Sequence, residues 1–243
     1  SKNPKQVFIV DKESGKEIFK AYDAHMGSSI GLMGDRVMVS RFDGTVICTD
    51  VQDAKKAYWS LDVGESAGLD PPLYLDNKLY IPSWSAHLYC VDKESGKTLW
   101  AYERDDIKQG CGTGFEFQPI PYKDQLLFTH SVEGVFALDR ESGRELKNIR
   151  LSSGVNQGLM YQDRYLVISS YEYLHIYDAE KMELIKQVKL PFRAVYAVKL
   201  DGSKMIIGNP DDAVVRNINR YFEGKLQGEN RILVYDLEKL IYS

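Results

Sequence analysis

Residues 88–100, LYCVDKESGKTLW, contain the pattern on which the whole chain is built. An apolar run ends at Asp92, a polar turn follows through Gly96, and a second apolar run begins at Thr98. Two such runs joined by a short turn predict a β-hairpin, because Gly adopts positive φ without steric cost. The same pattern occurs at residues 7–19, 46–59, 135–147 and 174–186, and in shortened form at 232–242. The chain is therefore a repeat protein, and the repeat decides its fold.

A second marker, a short polar turn, precedes the Asp of the later repeats at a regular distance. From the second turn residue to the Asp there are 15 residues in four repeats, for example from Asn77 to Asp92. The turns are Gly34–Asp35, Asp76–Asn77, Lys123–Asp124, Gln162–Asp163 and Asp201–Gly202. This spacing leaves room for four short strands, a to d, in each repeat of about 40 residues, which is typical of a propeller blade.

We therefore expect an all-β chain, a β-propeller of about six four-stranded blades, in a single domain over residues 1–243. In the repeat of the opening stretch, the strands are predicted at residues 71–75, 78–84, 87–92 and 98–103. The side chains four residues after each turn should supply part of the core: Val39, Ile81, Phe128, Val167 and Ile206. The first blade is incomplete, so the ring closes irregularly, belongs to a longer chain, or is completed by another chain.

The composition excludes several classes of protein. The chain is 44% hydrophobic and 27% charged with a net charge of −4, so it has a sizeable core and no global basic surface for nucleic acid. No apolar run approaches the roughly 18 residues that a membrane-spanning helix needs. Cys48 and Cys90 occupy equivalent positions in successive repeats, which should separate them too widely for a disulfide. With Cys111 they favour the cytoplasm, while a periplasmic or secreted location stays open if a signal segment was removed.

Two insertions interrupt the regular spacing. Nineteen extra residues separate strands b and c of the last repeat, and eight extend the d–a loop around residues 104–115. In a propeller these two kinds of loop emerge on the same face, and loops on a rigid scaffold usually carry function. Residues 209–212 are typical of a helix start, and apolar residues then recur at helical spacing. We expect one short helix in this b–c loop insertion, which packs on the propeller rim or docks a partner.

Cys90, Asp92, Ser95, Gly96 and Trp100 resemble the repeat motif of pyrroloquinoline-quinone-type propellers, Ala-x-Asp-x-x-Thr-Gly-x-x-x-Trp. The next repeat matches the motif except at its last position, where Lys replaces Trp. This resemblance implies a divergent member of the quinoprotein-like propeller family. The family's enzymes bind their quinone near adjacent cysteines and a calcium site, and this sequence has neither a Cys-Cys pair nor a recognisable calcium-ligand set. We therefore expect no cofactor, and the resemblance to non-enzymatic members implies protein binding.

No catalytic or metal-binding pattern is recognisable. His25, His87, His130 and His175 occupy different positions in their repeats, which predicts separate histidines rather than a metal site. Residues 110–114, GCGTG, lack the Lys-Ser/Thr ending and the following helix of a phosphate loop. The repeated Asp stands at every c–d turn, so we interpret it as a local hydrogen-bond acceptor.

These observations predict a non-catalytic propeller that binds a protein or peptide partner through the face of d–a and b–c loops. Candidate contacts from the b–c loops are Arg41, Asp43, Trp84, His87, His130, Glu133, Tyr171, Glu172 and Tyr173. The insertion adds Arg216, Arg220, Tyr221 and Phe222, and Tyr and Arg are frequent interface anchors. One alternative is a quinoprotein-like oxidoreductase or other enzyme in the channel mouth. Another is a glycan- or small-ligand-binding module that uses Trp84 and residues 171–173.

Overall fold

The structure is a computed structural model. It describes residues 6–22, 29–41, 43–53, 55–64, 67, 70–104, 114–115, 117–130, 133–151, 154–191, 199–208 and 232–243, with the backbone alone at 6–7 and 19–22. In these stretches the chain forms strands β1–β21 and a short helix, α1, at Leu237–Tyr242. No helix within them has the length and apolar character needed to cross a membrane.

The strands form successive antiparallel sheets, which we number as blades. Blade 1 has two described strands, β1 (Gln6–Val10) and β2 (Glu17–Tyr22). Blade 2 contains β3 (Ser29–Met33), β4 (Arg36–Ser40), β5 (Thr45–Asp50) and β6 (Ala57–Asp62), and blade 3 contains β7 (Leu73–Leu75), β8 (Lys78–Pro82), β9 (His87–Asp92) and β10 (Thr98–Glu103). Blade 4 contains β11 (Ile120–Tyr122), β12 (Gln125–His130), β13 (Gly134–Asp139) and β14 (Glu145–Arg150). Blade 5 contains β15 (Val155–Tyr161), β16 (Tyr165–Ser170), β17 (Tyr173–Asp178) and β18 (Glu183–Lys189), and blade 6 contains β19 (Lys199–Asp201), β20 (Lys204–Gly208) and β21 (Ile232–Asp236).

The predicted all-β repeat architecture is thereby confirmed, including strands c and d of blade 3 at the predicted bounds. The chain divides into two compact units. Unit 1 contains Ser1–Pro119 together with the turn Asp139–Arg144, and unit 2 contains Ile120–Leu138 together with Glu145–Ser243. The single domain over residues 1–243 stays a prediction.

The motif Asp closes its own c–d turn. Asp92 Oδ1 accepts hydrogen bonds from Ser95 N at 2.8 Å and Ser95 Oγ at 2.6 Å. Gly96 N donates to Asp92 O at 2.9 Å, and Gly96 has a φ of 70°. The bonds from the Ser95 hydroxyl and amide lower the pKa of Asp92. The structural interpretation of the repeated Asp is confirmed at this turn, and the same pairs recur at Asp11 with Ser14 and at Asp139 with Ser142.

Apolar side chains from neighbouring blades form the cores. In unit 1, Met38, Val46 and Cys48 of blade 2 join Leu79 and Ile81 of blade 3 in one fully buried cluster. We call the first set of positions the outgoing face of a blade and the second set the incoming face. In unit 2 the arrangement recurs twice: Leu127, Val135 and Ala137 with Leu166 and Ile168, then Val167, Leu174 and Ile176 with Met205 and Ile207. Burying each such side chain contributes roughly 1.5–3 kcal/mol.

The motif Trp packs on the turn glycine of the next blade. Trp59, at the start of β6, donates from Nε1 to Lys93 O at 2.9 Å. A Cβ added at Gly96 would lie 2.6 Å from Trp59 Cδ2, so the turn passes directly over the indole. Trp100 and Gly143 repeat the pair, again at 2.6 Å. The turn therefore requires glycine for two reasons: the residue has a positive φ, and the indole ring leaves no room for a Cβ.

Where the Trp is lost, the turn glycine is lost as well. Lys147 occupies the Trp position of blade 4, and Met182, with a φ of 54°, occupies the glycine position of the next turn. Lys147 Nζ donates to Lys181 O, and the Met182 side chain is 6% exposed within the apolar cluster. The Met182 side chain, which extends from the turn, thus takes the place that the indole of a strand-d Trp occupies between other blades.

Ion pairs tie the same turns to the preceding blade. Glu94 pairs with Arg36 in unit 1, and Glu141 pairs with Lys78 at 2.6 Å. Glu180 pairs with Lys123 at 3.0 Å in unit 2. The carboxylates are exposed, so each pair contributes at most about 1 kcal/mol, but their repetition aligns neighbouring blades.

The strand register corrects one predicted core position. The last turn consists of Gly202 and Ser203, because Asp201 pairs with Lys204, and not of residues 201–202. Counting from the wrong residue placed Ile206 in the shared core, yet it is 37% exposed while Ile207 is fully buried. A shift of one residue moves a strand side chain to the opposite face. In blade 5 the turn is one residue longer, so the true equivalent of Ile81 there is Ile168.

Helix α1 replaces the last predicted strand. The sequence predicted that a strand d would begin near residue 242. Instead Asp236 caps α1, accepting from Lys239 N at 3.3 Å, and Leu237 is fully buried. The segment after Asp236 has no glycine to form the hairpin turn, and a helix buries its apolar residues on blade 5. The helix predicted in the insertion lies outside the described residues.

Candidate functional site

In unit 1, the b–c loop of blade 3 at residues 83–86 is held by d–a loops. Ser83 Oγ and Ser85 Oγ donate to Val63 O at 3.0 and 3.2 Å. On the other side, Phe115 N donates to Ser83 O at 3.1 Å. The two kinds of loop therefore lie together here, as the propeller topology predicted, and their mutual hydrogen bonds fix the backbone that displays nearby side chains.

Trp84 lies beneath this loop layer. Its side chain is 8% exposed. A Cβ at Gly114 would come within 2.7 Å of the Trp84 carbonyl carbon, so only glycine lets the d–a loop cross at this point. Trp84 therefore packs under the d–a loop, and little of its ring is available for a glycan to stack on.

Ser85, His87 and Glu103 form a line with the composition of a catalytic triad. His87 Nδ1 lies 2.9 Å from Ser85 Oγ, and Nε2 lies 3.0 Å from Glu103 Oε1. However, Nδ1 also lies 2.8 Å from the Ser85 carbonyl oxygen, which can only accept. Nδ1 must therefore carry a proton, so it cannot take one from the Ser85 hydroxyl. The arrangement orients His87 and Glu103 but does not activate a serine nucleophile.

Arg41 and Asp43 lie in the b–c loop of blade 2. Their side chains form an ion pair at 3.2 Å, with exposures of 23% and 44%. Arg41 N donates to Thr45 O at 2.9 Å, and Val63 N donates to Gly44 O at 2.8 Å. The loop is thus closed on itself and tied to the strand end of the same blade, with the Asp43 carboxylate displayed outward.

In unit 2, two of the predicted contact residues, His130 and Glu133, lie at the b–c loop of blade 4 and differ in burial. His130 is fully buried, and its Nδ1 accepts from Glu133 N at 3.2 Å. Glu133 O accepts from Leu151 N at 3.3 Å. The buried His130 therefore fixes the loop backbone through this hydrogen bond, while the half-buried Glu133 reaches the loop surface.

Tyr171 and Glu172 in the b–c loop of blade 5, and Tyr173 at the start of β17, are all half-buried. Tyr171 N donates to Gly154 O at 2.9 Å, and a Cβ at Gly154 would lie 2.7 Å from Tyr171 Cζ. Glu172 O accepts from Leu190 N at 2.8 Å. As in unit 1, a glycine of the d–a loop lets the two loops approach closely.

Beside this loop, Ser170 and His175 form a buried polar pair. Ser170 Oγ donates to Tyr173 O at 3.0 Å and lies 3.0 Å from His175 Nε2. Since the hydroxyl proton is used on the carbonyl, Nε2 is the donor in the second bond. Burial lowers the pKa of His175 to about 4, so the ring is neutral at pH 7. The pair has a structural role in holding the turn.

The described thiols are poor nucleophiles. Cys48 and Cys90 are free and fully buried. Burial raises the pKa of both thiols, that of Cys90 to about 11. Within the described stretches, no three His, Cys, Asp or Glu residues are placed to hold a metal ion together. Cys111, His25 and the insertion residues Arg216, Arg220, Tyr221 and Phe222 lie outside the described residues.

Comparison with known proteins identifies the family. The model of the family described as outer membrane protein assembly factor BamB matches residues 4–220. The chain belongs to the BamB family. No curated protein shows significant similarity to this BamB-family chain. The resemblance to quinone-type propeller repeats and the β-propeller fold are thereby confirmed.

Solved structures with the same fold are distant in sequence. BamB from Moraxella catarrhalis is 16% identical with a TM-score of 0.67, over 93% of this chain and 63% of that chain. The computationally designed Ika8 protein is 15% identical with a TM-score of 0.65, over 92% and 63%. The β-propeller domain of Myceliophteria thermophila Cps50 (Swd1) is 15% identical with a TM-score of 0.60, over 76% and 62%. The BamB-family chain thus spans under two thirds of each of these structures.

Sequence reasoning missed the polar residues that fix the BamB-family loops. Ser83, Ser85 and Glu103 surround His87, and Ser170 holds the turn before His175. The run Ser-Trp-Ser-Ala-His at residues 83–87 was a usable signal, because serines two apart before a strand often bond to nearby backbone. The bond partners, Val63 and Glu103, lie 16 to 24 residues from His87, and no local pattern indicates them.

Proposed function

We propose that this BamB-family chain is a non-catalytic scaffold that binds a protein or peptide partner through its d–a and b–c loops. The family is described as an outer membrane protein assembly factor, which makes a component of a protein assembly the first partner class to test. The proposed contacts are the surface members of the predicted set, above all Asp43, His87, Glu133 and residues 171–173. The insertion residues Arg216, Arg220, Tyr221 and Phe222 stay part of this proposal.

The observation that carries the proposal is the fixed geometry of the loops. The b–c loop at residues 83–86 is hydrogen-bonded on both sides to d–a loops, and the b–c loop at residues 171–172 is bonded to Gly154 and Leu190. A surface that is already ordered loses little conformational entropy when a partner binds. Charged side chains at its rim, such as Asp43 and Glu103, would steer a partner and set its orientation.

The arrangement of His87 supports binding over catalysis at this position. Its two ring nitrogens face a carbonyl oxygen at 2.8 Å and a carboxylate at 3.0 Å, and both are acceptors. Because Nδ1 donates to the Ser85 carbonyl, it has no lone pair to accept a proton from the Ser85 hydroxyl. The ring lies between the Ser85 carbonyl and the Glu103 carboxylate and orders this carboxylate at the loop surface.

Site-specific photocrosslinking in an extract of the native source tests the proposal. A photoreactive residue is placed at Asp43 or Glu133 in the loops, and in the control proteins at Lys12 or Lys97 in exposed c–d turns. We expect a discrete crosslinked protein from both loop positions and none from the turn positions. Crosslinking from the turns alone would assign binding to the opposite face and refute the proposed surface.

A variant test separates the surface from the fold. Asp43→Lys reverses an exposed charge outside the core, but it also removes the Arg41 ion pair and the acceptor of Thr45 N. The melting temperature should therefore fall by only about 2–4 °C while association with the crosslinked protein slows. Loss of binding in Asp43→Lys with a cooperative fold retained would support the loop face. Unchanged binding of this variant and of a matching Glu133→Lys variant would contradict it.

A further inference from the structure

His87 and Glu103 occupy a pair of positions that recurs in each four-stranded blade. In blades 2 to 5 the first residue of strand c faces the last residue of strand d across the hairpin: Thr45 with Asp62, His87 with Glu103, Gly134 with Arg150 and Tyr173 with Lys189. Blade 3 is the only one of these four in which a histidine faces a carboxylate. The charge of this pair can therefore change near neutral pH, whereas the other three pairs keep theirs.

The surroundings of Nδ1 fix a proton on this nitrogen of His87. Nδ1 lies 2.8 Å from Ser85 O, and a carbonyl oxygen can only accept. Nδ1 also lies 2.9 Å from Ser85 Oγ, but the Ser85 hydroxyl donates to Val63 O at 3.2 Å. Nδ1 therefore carries a proton whether the ring is neutral or positively charged.

The other ring nitrogen, Nε2, lies 3.0 Å from Glu103 Oε1. In a neutral ring with its proton on Nδ1, Nε2 has a lone pair, and two acceptors without a proton between them repel each other. In the imidazolium, Nε2 donates a charge-assisted hydrogen bond to the carboxylate. The observed contact is therefore favourable only with a proton between the two atoms, and an imidazole holds such a proton more strongly than a carboxylate does.

The other titratable and charged groups near the ring keep their charge in mildly acidic and mildly alkaline solution. Tyr89 stacks on His87 with the ring centroids 5.5 Å apart. Burial, followed by the charges of Glu103 and Asp62, raises the pKa of Tyr89, so its phenol stays neutral up to at least about pH 8.5. Asp62, at the end of β6, and Arg104, directly after Glu103, stay ionised. A change of charge near neutral pH at this place therefore belongs to His87.

We infer that His87 and Glu103 form a pH-sensitive contact at the loop end of blade 3. In mildly acidic solution the imidazolium holds the Glu103 carboxylate. In mildly alkaline solution the ring loses the Nε2 proton, the contact opens, and the carboxylate turns to solvent. The loops of unit 1 then display one more unpaired negative charge near Asp62. This inference concerns the protonation of the loop surface and holds whether or not a protein partner binds there.

Nitrogen NMR of the 243-residue chain with nitrogen-15 histidine is the direct readout. The chain has 4 histidines, and His87→Ala assigns the signals of His87 by removing them. At about pH 5.5 both ring nitrogens of His87 should carry protons, and at about pH 8.5 only Nδ1 should carry one. A neutral ring with its proton on Nε2 at the higher pH would show that the contact persists, and would overturn the inference. A protonation state that is the same at both pH values would also refute it.

A double-mutant cycle tests whether the two side chains act as a pair. His87→Ala and Glu103→Ala are measured singly and together by thermal unfolding, and neither alanine forms a new side-chain hydrogen bond. The coupling in melting temperature should be about 2–4 °C at about pH 5.5 and below about 1 °C at about pH 8.5. Thr45→Ala with Asp62→Ala, the equivalent pair of blade 2, is the matched control, and its coupling should not depend on pH. Equal coupling of His87 and Glu103 at both pH values, or none at either, would contradict the proposed contact.

Discussion

Replacing Gly96 by Ala measures the packing of the motif Trp on the next blade. Gly96 has a φ of 70°, and its added Cβ would lie 2.6 Å from Trp59 Cδ2. The substitution therefore has two costs, one from the backbone conformation and one from the ring. Gly15 provides the matched control, because it has a φ of 67° and no heavy atom within 4 Å of its added Cβ.

The two costs can be estimated separately. A side chain in the left-handed region costs about 1–2 kcal/mol, and forcing a methyl group into a packed site adds about 1–3 kcal/mol. We expect Gly15→Ala to lower the free energy of unfolding by about 1–2 kcal/mol and Gly96→Ala by about 2–5 kcal/mol. The difference between the two variants is the contribution of the Trp59 contact.

Urea unfolding of the single and double variants checks this assignment. In a Trp59→Ala background the ring is gone, so Gly96→Ala should cost only the backbone term, and the double-mutant cycle should give a coupling of about 1–3 kcal/mol. Equal costs for Gly15→Ala and Gly96→Ala, or a coupling near zero, would show that the turn does not pack on the indole as described.

Three further predictions follow from the same structure. The pKa of His175 is about 4 in the folded protein against an ordinary value of 6.5, so the unfolded chain binds a proton first as the pH falls. The free energy of unfolding should therefore decrease by roughly 3 kcal/mol from pH 6.5 to pH 4. Urea titrations of His175→Gln should no longer show this decrease, and an unchanged pH profile would refute the assignment. Lys147→Trp should destabilise the protein by overpacking, and Met182→Gly should destabilise it by leaving a cavity. The double variant should recover about 1–3 kcal/mol of the summed losses in thermal unfolding, because the new ring fills the new cavity. Additive losses would show that Met182 does not replace the missing Trp. Deleting residues 211–226 and joining the ends with a short Gly-containing turn should preserve cooperative thermal unfolding and reduce binding of the photocrosslinked protein at least about tenfold. An unfolded product would make the segment structural, and full binding would remove it from the proposed surface.

Local patterns along the chain are enough to predict the repeat and its turns. The bond partners of Asp92 are Ser95 and the turn amides, all within four residues, so a short motif contains the whole structure of the turn. Strand alternation between such turns was equally local, and it predicted β9 and β10 at their observed bounds. The family also followed from these residues, because the motif is the part of the repeat that local hydrogen bonding constrains most strongly.

Which side chains face the core, a neighbouring loop or solvent depends on packing between distant parts of the chain. Ile206 was assigned to the core by counting, and a one-residue difference in the turn reversed its face. Trp84 and His130 looked like surface contacts in a b–c loop, yet one lies under a d–a loop and the other is fully buried. Met182 fills the place of a Trp lost 35 residues earlier. Each of these outcomes depends on contacts between residues distant in sequence, and such contacts are settled by packing between blades rather than by the local preferences that a sequence pattern records.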